Sequence, residues 1–149
     1  MHKYLLTLSY NGTQYSGWQK QSKNKNTIQE ICQNAVKKIL VGDFHLGGAS
    51  RTDKGVHADD QKILLKYSNS DLNDSFIKNM NHNLPNDIEV KDIELLSNHF
   101  HPFENIENKT YTYRLSSSSI EQFNIFTLPF YIKIDLKKTQ LFLDLFIGV

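Results

Sequence analysis

Thr27 opens a helical pattern that carries its own start signal, and that pattern decides how the strands on either side of it can connect. Thr27 is an N-cap residue type, and Glu30 follows three positions later, the spacing of a reciprocal capping box. Ile28, Ile31, Cys32, Ala35, Val36, Ile39 and Leu40 then recur at helical spacing, so one face is apolar. Gly42 ends the pattern. Before it, Lys3 to Ser9 is rich in β-formers and reads as a strand, closed by the Asn11-Gly12 turn signal. After it, Phe44 to Ala49 reads as a second strand and Gln61 to Tyr67 as a third. Asp71 is the expected cap of a second helix, with Asp74 three residues on and an apolar stripe of Leu72, Phe76, Ile77 and Met80. That helix ends at Asn83-Leu84-Pro85, because the residue before proline is biased away from helix. Ile88 to Leu96 alternates as a fourth strand.

The resulting order, β-α-β-β-α-β, predicts an α+β fold of the ferredoxin-like kind over residues 1–97. Two helices cover one face of an antiparallel sheet, and the other face is left for a ligand or a second domain. Residues 98–110 read as a connection. Tyr111 to Ser116 begins a new strand, Phe130 to Ile134 gives another, and Asp135 caps a last helix with apolar residues Leu141, Phe142, Leu145 and Phe146. Residues 98–149 are therefore expected to form a linker and the incomplete start of a second, similar α+β domain.

Composition narrows the setting. No stretch approaches the roughly 20 apolar residues of a membrane helix, and Met1-His2-Lys3-Tyr4 opens into a strand without the apolar core of a signal peptide. A single cysteine, Cys32, forms no internal disulfide and suits a reducing compartment, so a cytoplasmic protein is expected. The formal net charge is only +1. Lys20, Lys23 and Lys25 cluster in one polar loop, and Arg51, Lys54, Lys62 and Lys66 in a second region. Such clusters either meet phosphates or form an ordinary solvated surface.

The segment Arg51-Thr52-Asp53-Lys54-Gly55 sets a carboxylate between cations on a turn between two strands. It is either a plain turn, since Asp and Gly both favour turns, or the seat of a reactive carboxylate. In the second case a nearby Arg51 would keep Asp53 ionised, and the carboxylate could serve as nucleophile or base. Tyr15 and Trp18 are either loop anchors packing on the sheet or ligand contacts. His57 is read as a hydrogen-bonding structural histidine rather than a general base. His99-x-His101 has the look of a metal pair, but no Cys or acidic residue stands at ligand spacing, so no metal is expected. Cys32 belongs to the apolar face of its helix.

Ser-Arg-Thr-Asp-Lys-Gly-Val-His-Ala at 50–58 resembles the signature G-R-T-D-x-G-V-H-A of the TruA family of tRNA pseudouridine synthases. Further segments resemble that family in its own order: Tyr10 to Gln21 (Y-D-G-x-x-Y-x-G-W-Q-x-Q), Thr27-Ile28-Gln29-Glu30, Asn83 to Ile88 (N-L-P-x-D-I), Phe100-His101, and Lys109 to Arg114 (K-x-Y-x-Y-R). The resemblance implies an isomerase that converts uridine to pseudouridine at positions 38, 39 and 40 of the tRNA anticodon stem-loop, without cofactor or metal. By matched position, Asp53 is the catalytic aspartate, attacking either the ribose carbon or the pyrimidine ring. Arg51 contacts the RNA backbone and helps hold the target nucleotide out of the stem, and Tyr111 stacks on the target uracil. The resemblance also implies a homodimer in the full-length form and a remaining segment that completes the second domain.

The chain departs from the family pattern at three places. After Phe100-His101 the family commonly continues Ala-Arg-Phe, whereas Pro102-Phe103-Glu104 follows here, so a usual arginine is missing. Ser50 stands where glycine is usual, and would add strain if positive φ or close approach were needed there. Asp60 replaces a glycine and adds negative charge near a site that should attract RNA. Three readings follow: an active tRNA-uridine isomerase, a non-catalytic tRNA-binding remnant, and a ferredoxin-like interaction module without RNA.

Overall fold

A computed structural model describes residues 1–68, 72–97, 99–100, 104, 106–116, 126, 128–129 and 135–148. The chain divides into two compact units, Met1–Glu107 and Asn108–Val149.

The first unit carries β1 (His2–Tyr10), α1 (Ile28–Ile39), β2 (Phe44–Gly48), β3 (Ala58–Tyr67), α2 (Asp74–Asn83) and β4 (Ile88–Leu96). The sheet order is β2-β3-β1-β4, and every neighbouring pair is antiparallel. This is the ferredoxin-like arrangement that the sequence order predicts. β1 and β2 run the same way with β3 between them, so α1 must cross the sheet to connect them. Register brings Tyr10 opposite Ala58 and Ile88. The ends of β1 and β2 and the starts of β3 and β4 therefore share one end of the sheet, and the loops after β1 and β2 leave from there.

Alternation sorts the side chains. Tyr4, Leu6, Leu8 and Tyr10 of β1 are buried with Leu46, Ile63, Leu65 and Val90 beneath the helices. From α1, Ile28, Cys32, Ala35 and Val36 enter this core, and from α2, Phe76 and Met80. The opposite face carries half-buried Lys3, Thr7, Lys62 and Lys66. Lys3 Nζ donates to the Phe100 carbonyl at 3.1 Å, and Lys62 Nζ donates to Thr7 Oγ1 at 2.7 Å.

Several boundaries differ from expectation. β3 begins at Ala58, three residues before the predicted Gln61, because its first residue pairs with the end of β1. The capping box at Thr27 forms by halves. Thr27 Oγ1 accepts from the Glu30 amide at 3.4 Å, but the Glu30 carboxylate pairs with Lys20 at 2.9 Å and Lys25 at 3.8 Å instead. The hydrogen bond from Lys20 is the main cause that holds the Glu30 carboxyl below its ordinary range. α1 stops at Ile39 with Leu40 as its C-cap, and Gly42 lies in the loop beyond, at φ +103°. Asp71, the expected cap of α2, lies outside the described residues. The cap is Asn73, whose Oδ1 accepts from the Ser75 amide at 3.0 Å and the Ser75 hydroxyl at 2.5 Å.

In the second unit, β5 (Leu115–Ser116) pairs in parallel with β6 (Leu128–Pro129). Regular strand covers only the end of the predicted Tyr111–Ser116 run, and the predicted strand at 130–134 lies outside the described residues. α3 (Leu136–Asp144) is capped as expected by Asp135, which accepts from the amides of Lys137 and Lys138. Leu141 and Phe142 on this helix, and Leu145 and Phe146 in the turn that follows it, are exposed. Among the described residues, no helix is long and apolar enough to cross a membrane.

Because Asn73 satisfies an otherwise orphan amide at the start of α2, Asn73→Ala is expected to cost about 1 kcal/mol of stability. A shift in the urea unfolding midpoint with an unchanged slope checks this.

Candidate functional site

The loop between β2 and β3 carries Arg51, Thr52, Asp53 and Lys54, and it is held by the segment that follows β1. Trp18 N–H donates to the Thr52 carbonyl at 3.0 Å, and Gly55 N–H donates to the Tyr15 carbonyl at 3.2 Å. Gly12 N–H donates to His57 Nδ1 at 3.1 Å. The two chain segments thus meet on both sides of Asp53, through two backbone–backbone bonds and one bond to the His57 side chain. Within the loop, Val56 N–H donates to the Asp53 carbonyl at 3.2 Å and closes the turn.

Contact this close needs missing side chains. A Cβ on Gly12 would overlap the Val56 carbonyl oxygen. At Gly17, φ is +88° and a Cβ would lie 2.7 Å from the Thr52 carbonyl oxygen. Gly17 therefore answers both a left-handed backbone and a steric limit.

Side chains from the sheet and from α1 brace the two segments. Tyr10 Oη and Thr52 Oγ1 lie 2.8 Å apart in a hydrogen bond. Burial is the main reason the Tyr10 hydroxyl stays above its ordinary pKa, so it remains a neutral partner. Gln61, buried on β3, donates from Nε2 to the Ser50 carbonyl at 2.9 Å, while Ser50 Oγ bonds its Oε1 at 3.1 Å. The serine that departs from the family pattern is thus tied into the loop by its own hydroxyl. Asp60 is neutralised locally by Lys62 at 2.8 Å. Gln29, at the start of α1, accepts from the Lys20 amide at 2.9 Å and donates to the Leu46 carbonyl at 3.1 Å, which joins the first loop to β2.

Trp18 is 1% exposed and Tyr15 5%, so both are anchors of the first loop and present no ring to a ligand. The Tyr15 hydroxyl donates to Asp87 Oδ1 at 2.5 Å. Burial first, and then this carboxylate, push its pKa well above the phenol range. His57 Nδ1 accepts an amide hydrogen, and a nitrogen that does so carries no proton of its own. This is the structural histidine that the sequence suggests. Cys32 is fully buried, and its thiol is pushed up to about 12 by burial, which leaves it unreactive.

Against that framework the Asp53 side chain is exposed, as are Arg51 and Lys54. Arg51 does not pair with Asp53: among the described residues no cation forms an ion pair with the Asp53 carboxylate. The loop is fixed by backbone contacts, which leave both charged side chains directed by solvent rather than by each other. Of the lysine cluster at 20–25, Lys20 and Lys25 are committed to Glu30. Tyr111 belongs to the other unit, where it is 67% exposed. His99 is exposed, and His101 lies outside the described residues. No group of three His, Cys, Asp or Glu suited to a metal occurs among the described residues. The chemistry this arrangement offers is that of a solvent-facing carboxylate on a held backbone, flanked by two cations.

Tyr10 and Asp87 stand in the family-like segments and Gln61 in a predicted strand, but the sequence gives none of them a role. Each works through a contact distant along the chain, and no local spacing signals it.

A family model described as tRNA pseudouridine synthase matches residues 7–102. The tRNA pseudouridine synthase A of Caldicellulosiruptor saccharolyticus is 37% identical over 150 residues, 99% of this chain and 61% of that protein. The protein of the same name from Phytoplasma mali is 42% identical over 122 residues, 81% of this chain and 50% of the other. The tRNA pseudouridine synthase A 2 of Bacillus cereus is 35% identical over 115 residues, 77% and 47% of the two chains. The chain spans about half the length of the curated relatives it matches.

If close approach of the two segments holds the loop, a methyl group at Gly12 must force them apart. Gly12→Ala is expected to destabilise the first unit by about 1–3 kcal/mol. Gly17→Ala should cost at least as much, because left-handed strain of about 1–2 kcal/mol is added. Urea unfolding of the two variants against the parent chain checks both values.

Proposed function

The chain belongs to the tRNA pseudouridine synthase family, and from that premise we propose that Asp53 is the catalytic carboxylate of a uridine-to-pseudouridine isomerase acting on tRNA. The observation that carries this reading is the contrast within one loop. The backbone on either side of Asp53 is gripped by Gly12, Tyr15 and Trp18, while its carboxylate is exposed and unpaired among the described residues. A plain surface turn has no need of such a grip.

The reaction is an isomerisation. The bond between the ribose C1′ and the uracil N1 breaks, the base turns, and C1′ joins C5 of the ring. The C5 proton leaves and N1 gains one, so the atoms balance without an oxidant, reductant or group donor. A carboxylate suits this sequence because it can bond transiently to an electrophilic carbon and depart again. Both the ribose C1′ and the pyrimidine ring offer a carbon for that bond.

The target uridine must leave its stem to reach such a carboxylate, which costs a few kcal/mol. Stacking on an aromatic ring returns about 1–3 kcal/mol per base. We assign that role to Tyr111, whose ring is exposed. Arg51 is assigned to the RNA backbone, since a planar guanidinium that is always charged matches phosphate oxygens. The substrate assigned is the tRNA anticodon stem-loop at positions 38, 39 and 40, in the cytoplasm, with the full-length protein a homodimer. Residues 98–149 are assigned to a linker and the start of a second α+β domain of the same kind.

A second reading has its own observation. The chain covers only about half of its relatives, and a catalytic groove normally draws strength from groups fixed on all its sides. On that reading the 149 residues bind tRNA in a salt-dependent way and leave uridine intact.

Incubation of the chain with an unmodified tRNA transcript, followed by chemical mapping of pseudouridine, separates the two. The isomerase reading expects product that falls by more than about 100-fold in Asp53→Ala with tRNA binding retained. Binding without product supports the remnant, and product unchanged in Asp53→Ala removes Asp53 from the chemistry.

A further inference from the structure

The turn between α2 and β4 reaches the Asp53 loop through a single relay. Asp87 grips the segment after β1 at two points: its carbonyl accepts from Asn11 N–H at 2.9 Å, and its Oδ1 accepts from the Tyr15 hydroxyl at 2.5 Å. Tyr15 in turn accepts, through its own carbonyl, the Gly55 N–H at 3.2 Å. Gly55 lies two residues beyond Asp53, and Val56 N–H closes the intervening turn on the Asp53 carbonyl. We propose that Asp87 is a positioning residue for Asp53, acting through Tyr15; its kinetic consequence rests on the isomerase reading above.

Three features make the relay more than ordinary packing. The Tyr15–Asp87 bond is short and charge-assisted, a kind roughly twice as strong as a neutral one. It spans 72 residues of sequence and adds a side-chain tie from Asp87 to Tyr15, beyond the backbone bond that already joins Asn11 to Asp87. The Tyr15 ring is 5% exposed, and its phenol keeps its proton under the combined effect of burial and the adjacent carboxylate. The donor is therefore present throughout the neutral range. Without the Asp87 acceptor a part-buried hydroxyl loses its partner. The Tyr15 backbone then keeps its N–H bond to the Gly12 carbonyl but loses the side-chain tie that helps set where Gly55, and with it Asp53, lies.

The test uses the whole chain and three variants: Tyr15→Phe, which keeps the ring; Asp87→Ala, which removes the acceptor; and Asp87→Asn, which keeps an acceptor without the charge. Two quantities are read, the backbone NMR order parameter at Gly55 and the steady-state constants on an unmodified tRNA transcript. In Tyr15→Phe and Asp87→Ala the order parameter is expected to fall from about 0.85 towards 0.6. kcat is expected to drop by about 10- to 100-fold with KM and tRNA affinity unchanged, the pattern of a displaced reacting group. Asp87→Asn should restore most of both.

An unchanged order parameter at Gly55 in the folded variants overturns the relay, whatever the activity. Lost order with unchanged kcat overturns its role in positioning Asp53. A parent chain that makes no pseudouridine sinks the isomerase reading alone, because the order parameter still decides whether Asp87 holds the loop. Should Asp87→Ala fail to fold, Tyr15→Phe decides, since it removes one oxygen and no ring contact.

Discussion

Trp18 N–H on the Thr52 carbonyl is the bond around which the first unit is organised. It joins the exit of β1 to the loop that follows β2, two strands separated in the sheet by β3. A single backbone hydrogen bond contributes only about 0.5–1.5 kcal/mol net. Here it acts with the Gly55–Tyr15 bond, the Gly12–His57 bond and the Tyr10–Thr52 contact, all within six residues of the loop. Trp18 packs fully into the core beneath, so pulling its amide away from Thr52 would also expose an indole ring. Loosening the loop therefore carries a hydrophobic cost as well as a polar one.

The division of labour between backbone and side chains has a chemical consequence. Were Asp53 held by an ion pair with Arg51, breaking that pair would be part of every encounter with a ligand. The backbone grip removes the need for it. The carboxylate and the guanidinium remain available, while the loop that carries them does not have to be ordered on binding. Preorganisation of this kind lowers the conformational entropy that binding must overcome. The groups nearest the loop that could compete chemically are withdrawn. His57 is occupied by Gly12, Cys32 is a buried inert thiol, and Tyr15 is committed to Asp87.

The fold was largely legible because its signals are local. β-rich runs, the 3.6-residue period after Thr27 and the proline after Leu84 each act over a few residues, and together they give the ferredoxin-like order. The Asn73 cap was missed because Asp71 offers the same chemistry two residues earlier, and only helix geometry chooses between them. The half-formed capping box has a similar origin: Lys20, ten residues before Glu30, outcompetes the Thr27 amide for its carboxylate. At the candidate site, the signature at 50–58 marks the loop between β2 and β3 but not how that loop is held. The Ser50–Gln61, Tyr10–Thr52 and Tyr15–Asp87 contacts join residues 11, 42 and 72 positions apart. No pattern within one segment encodes such pairs. Burial of Tyr15 and Trp18 follows from the same tertiary closure, which is why the sequence left their roles open.

Native-state amide hydrogen exchange on the parent chain measures the grip on the loop directly. The amides of Gly12, Trp18 and Gly55 should open with free energies close to those of Leu6 and Leu65 in the sheet, since the segments cannot part without disturbing the core. Exchange of all three at the rate of the exposed Ser22 and Lys23 amides would show that nothing holds the backbone around Asp53.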